Sequence, residues 1–420
     1  MTSRTMGRLA GVAQRVREDP PALTAQRILK RVHDRFVTAD LDFPLRGADV
    51  ADSTRRSRPL PPPVLEDRPL RIGWLTTPPG PGSGGHTTMF RMVEALERAG
   101  HRCDMVLYQR NGGSVDRHLA TIRKGWPGVR ATVRSADDGL DGLDACIATS
   151  WPSAHVLATR SIPGLHELYF VQDYEPFFYP HGSEHELAAD SYRFGFHTIA
   201  LGNMVRNRLL EEVGVHASSV PFSCDTSVYH LDNEGSRSGV VFYAKPDVPR
   251  RGYRLAVLAL EEFHRRHPDV PIHVYGHDAP DIAAPVIQHH RVSPAELNDL
   301  YNRAAAGLAL SFTNITLVGE EMLASGCIPV VNDSADTRAA FDNPHAVFAP
   351  PTPASLAEGL CRAVEQADPQ RARAAAASIS RDNWTLAGTG VVRIVEDVVR
   401  GRSTAPAART VGAGVGRHAG

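Results

Sequence analysis

The pattern that most constrains this chain is an alternation of short apolar runs with amphipathic stretches. It starts near residue 70, breaks, and starts again near residue 239. Leu70-Arg-Ile-Gly-Trp-Leu-Thr76 is an apolar run followed by prolines and glycines, then a helical pattern over 87–99 that Gly100 stops, then Cys103-Asp-Met-Val-Leu-Tyr108. Strand, glycine loop, helix, strand is a βαβ unit, because parallel neighbours need a crossover long enough to hold a helix. Further strands are expected at 145–148, 166–171 and 198–201. After the polar break Asp232-Asn-Glu-Gly-Ser236 the spacing predicts strands at 240–243, 272–275, 307–311 and 328–331. Helices are expected over 253–267, 294–305 and from 320 to 325, with a last one at 385–400. Two α/β domains of similar size, joined once in mid-chain, make a cleft, and open α/β sheets bind ligands at the carboxyl ends of their strands.

Composition narrows the partners. The 420 residues are 42% hydrophobic and 22% charged, with a formal net charge of -1. Such a chain has no bulk attraction for polyanions, so no nucleic-acid partner is expected, and a phosphate-bearing ligand needs a local basic site. The five cysteines are odd in number and form no C-x-x-C pair, which argues against a disulfide framework or zinc knuckle and for a reducing compartment. No apolar run reaches the roughly 18 residues of a membrane span, and no signal-peptide pattern is present, so a cytoplasmic protein is expected. Residues 5–37 read as helix broken at Pro20-Pro21. Two readings stand for it: packing on the main body, or a basic amphipathic helix in peripheral contact with the inner face of the membrane. Residues 48–69 are Pro-rich and polar, hence a linker, and 402–420 are Gly/Ala/Arg-rich, hence a disordered tail.

Several short segments carry candidate chemistry. Gly80-Pro-Gly-Ser-Gly-Gly85 fits G-x-G-x-x-G between a strand and a helix, where Gly84 and Gly85 let backbone N–H groups approach a ligand. A dinucleotide site would want an acid ending the second strand, but that strand ends Leu107-Tyr-Gln-Arg110. A structural turn and a loop over a sugar-nucleotide or acceptor remain as the other readings, and no P-loop motif is present. Lys245, just past a strand, and Arg250 with Arg251, just before a helix, suit a diphosphate, against the alternative of a solvated basic loop. Glu320 and Glu321 stand at a helix start, as capping acids or as acceptors of ribose or sugar hydroxyls, with the backbone of Thr316, Leu317 and their neighbours toward the phosphate. Gln172-Asp-Tyr-Glu175 follows a strand and so ends at the cleft. There Asp173 and Glu175 could accept hydroxyls and Tyr174 could stack on a sugar, or the segment is a packed aromatic loop. His86 and His181 are further candidates for donor or acceptor contact.

At these residues the second half resembles the family-4 retaining glycosyltransferases of the GT-B fold. The resemblance rests on Cys224-Asp-Thr-Ser-Val-Tyr229, the cations Lys245 and Arg250 five apart, Val292-Ser-Pro-Ala-Glu-Leu-Asn-Asp-Leu-Tyr301, and Glu321-Met-Leu-Ala-Ser-Gly-Cys-Ile-Pro-Val-Val331. The family's second glutamate, eight residues before Glu321, is here Thr313, and its arginine is Lys245. A neutral contact at 313 would suit a sugar with fewer hydroxyls, such as a 6-deoxyhexose. In the first half, Gly82-Ser-Gly-Gly-His-Thr-Thr-Met-Phe90, Tyr169-Phe-Val-Gln-Asp-Tyr-Glu-Pro-Phe-Phe-Tyr-Pro180 and the Gly-Ser-Glu at 182–184 are similar to bacterial dTDP-L-rhamnose-dependent rhamnosyltransferases of surface glycan assembly.

The resemblance implies an α/β GT-B protein: two Rossmann-like domains facing across a cleft, with an N-terminal helical extension. The expected division is an extension at 1–47, a linker at 48–69, an acceptor domain at 70–234, a nucleotide-sugar domain at 235–382, a C-terminal helix at 383–401 and a tail at 402–420. It implies a transferase moving a deoxysugar, L-rhamnose, from a dTDP-sugar co-substrate to a glycan or lipid-linked glycan acceptor with retention, needing no cofactor or metal. The expected roles are catalytic for His86, Asp173 and Glu175, and donor-binding for Gly84, Gly85, Lys245, Arg250, Arg251, Thr316, Leu317 and Glu321. Tyr174 and His181 are expected to bind acceptor. A hydrolase or epimerase-like enzyme, or a non-catalytic sugar-nucleotide-binding protein on the same frame, is the alternative.

Overall fold

The computed structural model describes residues 43–402, apart from Arg58, Pro81, Gly82, Ser223, Thr316, Arg381 and Asp382. The expected helices of 5–37 and the tail from 403 onward lie outside the described residues.

The first α/β unit is a seven-stranded, wholly parallel sheet. Its strands are β1 (Arg71–Thr76), β2 (Arg102–Leu107), β3 (Thr132–Ser135), β4 (Ala145–Ala148), β5 (His166–Val171), β6 (His197–Leu201) and β7 (Ser218–Val220), in the order β3-β2-β1-β4-β5-β6-β7. Five helices connect them: α1 (Gly84–Arg98), α2 (Val115–Gly125), α3 (Trp151–Arg160), α4 (Ser183–Ser191) and α5 (Asn203–Val213). The central strands are covered on both faces, which is why they read as continuous apolar runs. In β1 every residue after Arg71 is buried. Gly73 packs closely there: a Cβ would lie 2.6 Å from Leu143 Cδ1 and 3.2 Å from Cys146 Sγ, so those side chains would have to shift.

The second unit repeats the plan with six parallel strands in the order β10-β9-β8-β11-β12-β13. They are β8 (Val240–Ala244), β9 (Ile272–Gly276), β10 (Ile287–Gln288), β11 (Ala306–Ala309), β12 (Ile328–Asn332) and β13 (Val347–Ala349). The helices are α6 (Tyr253–Arg266), α7 (Pro294–Arg303), α8 (Val318–Ala324), α9 (Ala335–Ala340), α10 (Pro353–Glu365) and α11 (Pro369–Ala377). Helix α7 starts on a capping box of Ser293 and Glu296, a signal already visible in the sequence. The last helix, α12 (Asn383–Val399), returns to the first domain, where Ala387, Val391, Val395 and Val399 join the core of Leu70, Trp74 and Phe90.

Some elements carry little local signal in the sequence. Strands β3, β10 and β13 are two to four residues long and only partly buried, so they carry little apolar signal. In α3 the first seven residues are all buried, which erases the polar face that reveals a helix. The Pro-rich segment at 48–69 is not a free spacer. Ser53 donates to Asp190, Arg56 pairs with Glu167 at a half-buried site, and the Val64 amide donates to the Val399 carbonyl at 2.9 Å. Those contacts hold it along the first domain. Among the described residues no helix is long and apolar enough to cross a membrane.

Candidate active site

The strand order reverses between β1 and β4 in the first sheet and between β8 and β11 in the second. Loops leaving the carboxyl ends there diverge and open a crevice. The two crevices face each other, because the loop after β5 bonds directly to the loop after β11. Asp173 Oδ1 accepts from the Asn314 amide at 2.9 Å, and Oδ2 from the Thr313 hydroxyl at 2.9 Å. Asn314 Nδ2 donates to the Gln172 carbonyl at 2.8 Å, and Gln172 Nε2 donates to the Gly85 carbonyl at 3.0 Å. Burial pushes the Asp173 carboxyl above its ordinary range, opposed by the Asn314 amide and Arg251. Sequence reasoning proposed Asp173 but not this clamp, since its partners are distant in the chain.

The basic turn follows β8. Pro249–Arg251 is a single 3-10 turn ended by Gly252 at φ 64°, where a Cβ would lie 2.9 Å from Phe312. Glycine is therefore required both for the left-handed backbone and for the close approach. The turn separates its two arginines. Arg251 turns inward, donating to Ser311 Oγ at 2.7 Å and the Asn314 carbonyl at 3.1 Å, and burial pushes its pKa down to about 10. It braces the loop after β11, which corrects the expectation of a free donor-binding cation. Arg250 lies over the Phe178 ring, 4.0 Å from the centroid, with its Nε buried and without a hydrogen-bond partner. Lys245 is half-buried beside the Tyr243 ring, 5.4 Å from its centroid.

The acidic pair lies at the start of α8. Burial raises Glu320 to about 7 and Glu321 to about 8, the latter helped by Glu320 and Asp225 and opposed by Arg91. Glu320 takes a hydrogen bond from the Cys224 backbone, yet its Oε2 is buried without a partner. Leu317 is half-buried, and its carbonyl accepts from the Glu321 amide at 2.9 Å. Thr316 lies outside the described residues. Arg91 of α1 reaches Asp225 at 2.6 Å in the connector between domains, a pairing the sequence did not signal.

Four expected residues have structural partners. His86 is tied by both ring nitrogens, Nδ1 to Ser83 Oγ at 2.8 Å and Nε2 to the Thr77 carbonyl at 3.3 Å, and burial lowers its pKa. A neutral ring donating through Nε2 fits, so His86 pins the glycine loop to the end of β1 instead of offering a free base. Glu175 caps α3 by accepting from the Trp151 amide, and burial raises it to about 8. Tyr174 is buried, stacked on Tyr192 at 5.5 Å and edge-on to Phe177 at 4.9 Å, so it packs in the core and is not an open sugar platform. His181 is exposed and stacks on His185 at 4.7 Å. By contrast Gly84 and Gly85 are exposed, and a Cβ on Gly84 would meet nothing within 4 Å. Protein packing does not demand glycine at 84, and the space beside it is open.

Two doubly wound parallel sheets that turn their carboxyl ends toward one cleft, with a final helix returning to the first domain, are the GT-B fold. The overall fold is similar to that of S. aureus TarM, solved as a variant with fondaparinux, alpha-GlcNAc-glycerol and UDP, at TM-score 0.61 and 8% identity over 79% of this chain and 99% of that one. Anabaena HepE with UDP and glucose matches at TM-score 0.58 and 11% identity over 79% of this chain and 100% of HepE. WaaG, a glycosyltransferase of lipopolysaccharide biosynthesis, matches at TM-score 0.54 and 13% identity over 79% of this chain and 100% of WaaG. Residues 238–361, which carry Lys245, Arg250 and Glu321, match the family described as WsaF, C-terminal domain. The O-antigen biosynthesis protein RfbC of Myxococcus xanthus is 28% identical over 402 residues, 91% of this chain. The chain spans 31% of the length of that relative.

Proposed function

We propose that this chain is a glycosyltransferase of surface-glycan assembly that moves a deoxysugar, L-rhamnose, from a dTDP-sugar to a glycan acceptor with retention. The carrying observation is that the carboxyl ends of the two sheets meet through Asp173 and Asn314, and that the segments leaving those ends carry a cation with an unpartnered buried Nε (Arg250), a half-buried Lys245, an exposed glycine helix start and a carboxylate with an unpartnered buried oxygen (Glu320). Lys245 and Arg250 receive the diphosphate and stabilise the charge that develops on it as the anomeric C–O bond breaks. Glu321, with Glu320, accepts ribose or sugar hydroxyls. The leaving phosphate oxygen takes the acceptor proton, so no free protein base is required, consistent with the pinned state of His86. The roles of RfbC in O-antigen biosynthesis and of WaaG in lipopolysaccharide biosynthesis support a glycan acceptor, and the UDP complexes of TarM and HepE support a nucleotide-sugar donor. The acceptor in this reading is a glycan or a lipid-linked glycan, and a lipid-linked one would be met by peripheral membrane contact through residues 5–37.

The test is incubation with a panel of sugar-nucleotides, with and without a rhamnose-terminated acceptor, followed by mass spectrometry. Acceptor extended by one deoxyhexose from the dTDP donor is the expected product. Free sugar or an isomerised nucleotide without acceptor would mean a hydrolase or epimerase. Binding of dTDP with no turnover of any donor would mean a non-catalytic protein.

A further inference from the structure

We propose that His181, His185 and Glu186 bind one divalent transition-metal ion, with zinc the best match. His181 ends the aromatic segment after β5, Gly182 turns the chain, and His185 and Glu186 lie in the first turn of α4. His185 Nδ1 is 3.1 Å from Glu186 Oε1, and His181 Nε2 is 3.6 Å from the same oxygen. The three ligand atoms all lie within 4.8 Å of one another. A tetrahedral zinc ion with bonds of about 2.0–2.1 Å separates its ligands by roughly 3.3–3.4 Å. The two observed separations straddle that edge, so modest side-chain adjustment would seat an ion.

The donor set fits a borderline-soft ion. Two imidazoles and one carboxylate suit zinc better than magnesium or calcium, which prefer all-oxygen shells. The His181 and His185 rings stack at 4.7 Å, and each turns a nitrogen toward the Glu186 carboxylate. The start of a helix is electropositive, but the acids Glu184 and Glu186 in this first turn offset it. All five cysteines are buried and do not compete for the ion.

An ion here would join the end of the segment carrying Phe178 to the body of α4. Phe178 is the ring beneath Arg250. The ion is therefore a structural clasp for one wall of the cleft, and its binding does not depend on which donor the protein uses.

The experiment uses the full chain without a polyhistidine tag, stripped with EDTA, desalted, and titrated with Co2+ and then Zn2+. One equivalent of cobalt is expected, giving the visible absorption of a tetrahedral complex that zinc abolishes, and zinc should raise the melting temperature. His185→Ala and Glu186→Gln should each weaken that binding by about tenfold or more, while their metal-free circular dichroism matches the parent. Glu186→Gln keeps the shape of the helix start should the histidine variant fold poorly. Failure of the parent to retain zinc, or an unchanged equivalent in both variants, overturns the proposal. The second result would locate the metal elsewhere, for instance at the His273–His289 pair.

Discussion

The Asp173 carboxylate, on the loop after β5, accepts a hydrogen bond from the Asn314 amide, on the loop after β11, at 2.9 Å. This contact crosses the cleft at the carboxyl ends of both sheets. A sugar ring cannot lie between groups at hydrogen-bond distance, so a donor reaching this point must part them. Asp173→Ala should remove the clamp and increase hydrogen exchange at the Asn314 amide. Asp173→Asn keeps an oxygen for that amide, and Thr313 can rotate to accept from the new NH2, so protection should persist. If the carboxylate charge also serves the reaction, both variants lose turnover by about tenfold or more, roughly 1.4 kcal/mol. Equal exchange at Asn314 in all three proteins would show that the clamp does not persist in solution.

The paired arginines should separate functionally. Lys245→Ala and Arg250→Ala are each expected to weaken dTDP binding by about 1.5–3 kcal/mol, the worth of a charge-assisted hydrogen bond. Arg251→Ala should instead lower the melting temperature, because it removes the charged donor to the Ser311 hydroxyl and the Asn314 carbonyl and leaves the Ser311–Asn314 hydrogen bond to hold that loop alone. Calorimetry with dTDP and a thermal melt on all three variants decides the matter. Unchanged affinity in both Lys245→Ala and Arg250→Ala would remove the diphosphate from this turn.

Turnover should persist in EDTA. The basic turn supplies the charge that a metal would otherwise provide to a leaving diphosphate. Chelation would strip an ion from the His181 cluster, lowering thermal stability without abolishing the reaction. Loss of activity in EDTA with recovery on adding magnesium would sink the metal-free assignment.

Glu321→Gln discriminates between ligand and helix-dipole roles. If the carboxylate only favours the dipole, stability should fall by about 0.3–1 kcal/mol with little change in donor affinity. We expect the other outcome: an unchanged or slightly raised melting temperature, since the variant buries no carboxylate, and donor binding or turnover reduced about tenfold. Normal kinetics would leave Glu320 as the nearby candidate.

Buried acids also set a pH dependence. Glu175, Glu320 and Glu321 are raised from an ordinary 4.5 to about 8, about 7 and about 8, with burial the leading cause in each. The folded protein therefore holds protons that the unfolded chain has released, and stability must fall as pH rises through the folded values. Buried histidines act in the opposite direction, but only below their ordinary 6.5. The melting temperature should accordingly decline between about pH 6.5 and pH 8.5, and Glu175→Gln should flatten the decline. A melting temperature that rises over that interval would contradict these burials.

The sequence by itself determined the two-domain α/β plan, because strand and helix periodicity are local and the central strands of a parallel sheet carry uninterrupted apolar runs. It also exposed the basic turn, since Lys245, Arg250 and Gly252 belong to one loop whose glycine fixes its shape. Tertiary structure alone decided what each polar side chain faces. Arg250 and Arg251 are neighbours in sequence, yet one lies over Phe178 and the other is spent on Ser311 and Asn314. Tyr174 sits in a loop rich in aromatics and acids, as a sugar-binding residue would, but Tyr192 and Phe177 enclose its ring. His86 stands in the first turn of a helix, and only the fold brings the Thr77 carbonyl to its second nitrogen. The physical reason is range. Backbone preference and apolar period act over a few residues, whereas a hydrogen-bond partner is set by which distant segments the core forces together, as with Asp173 and Asn314 or Arg91 and Asp225.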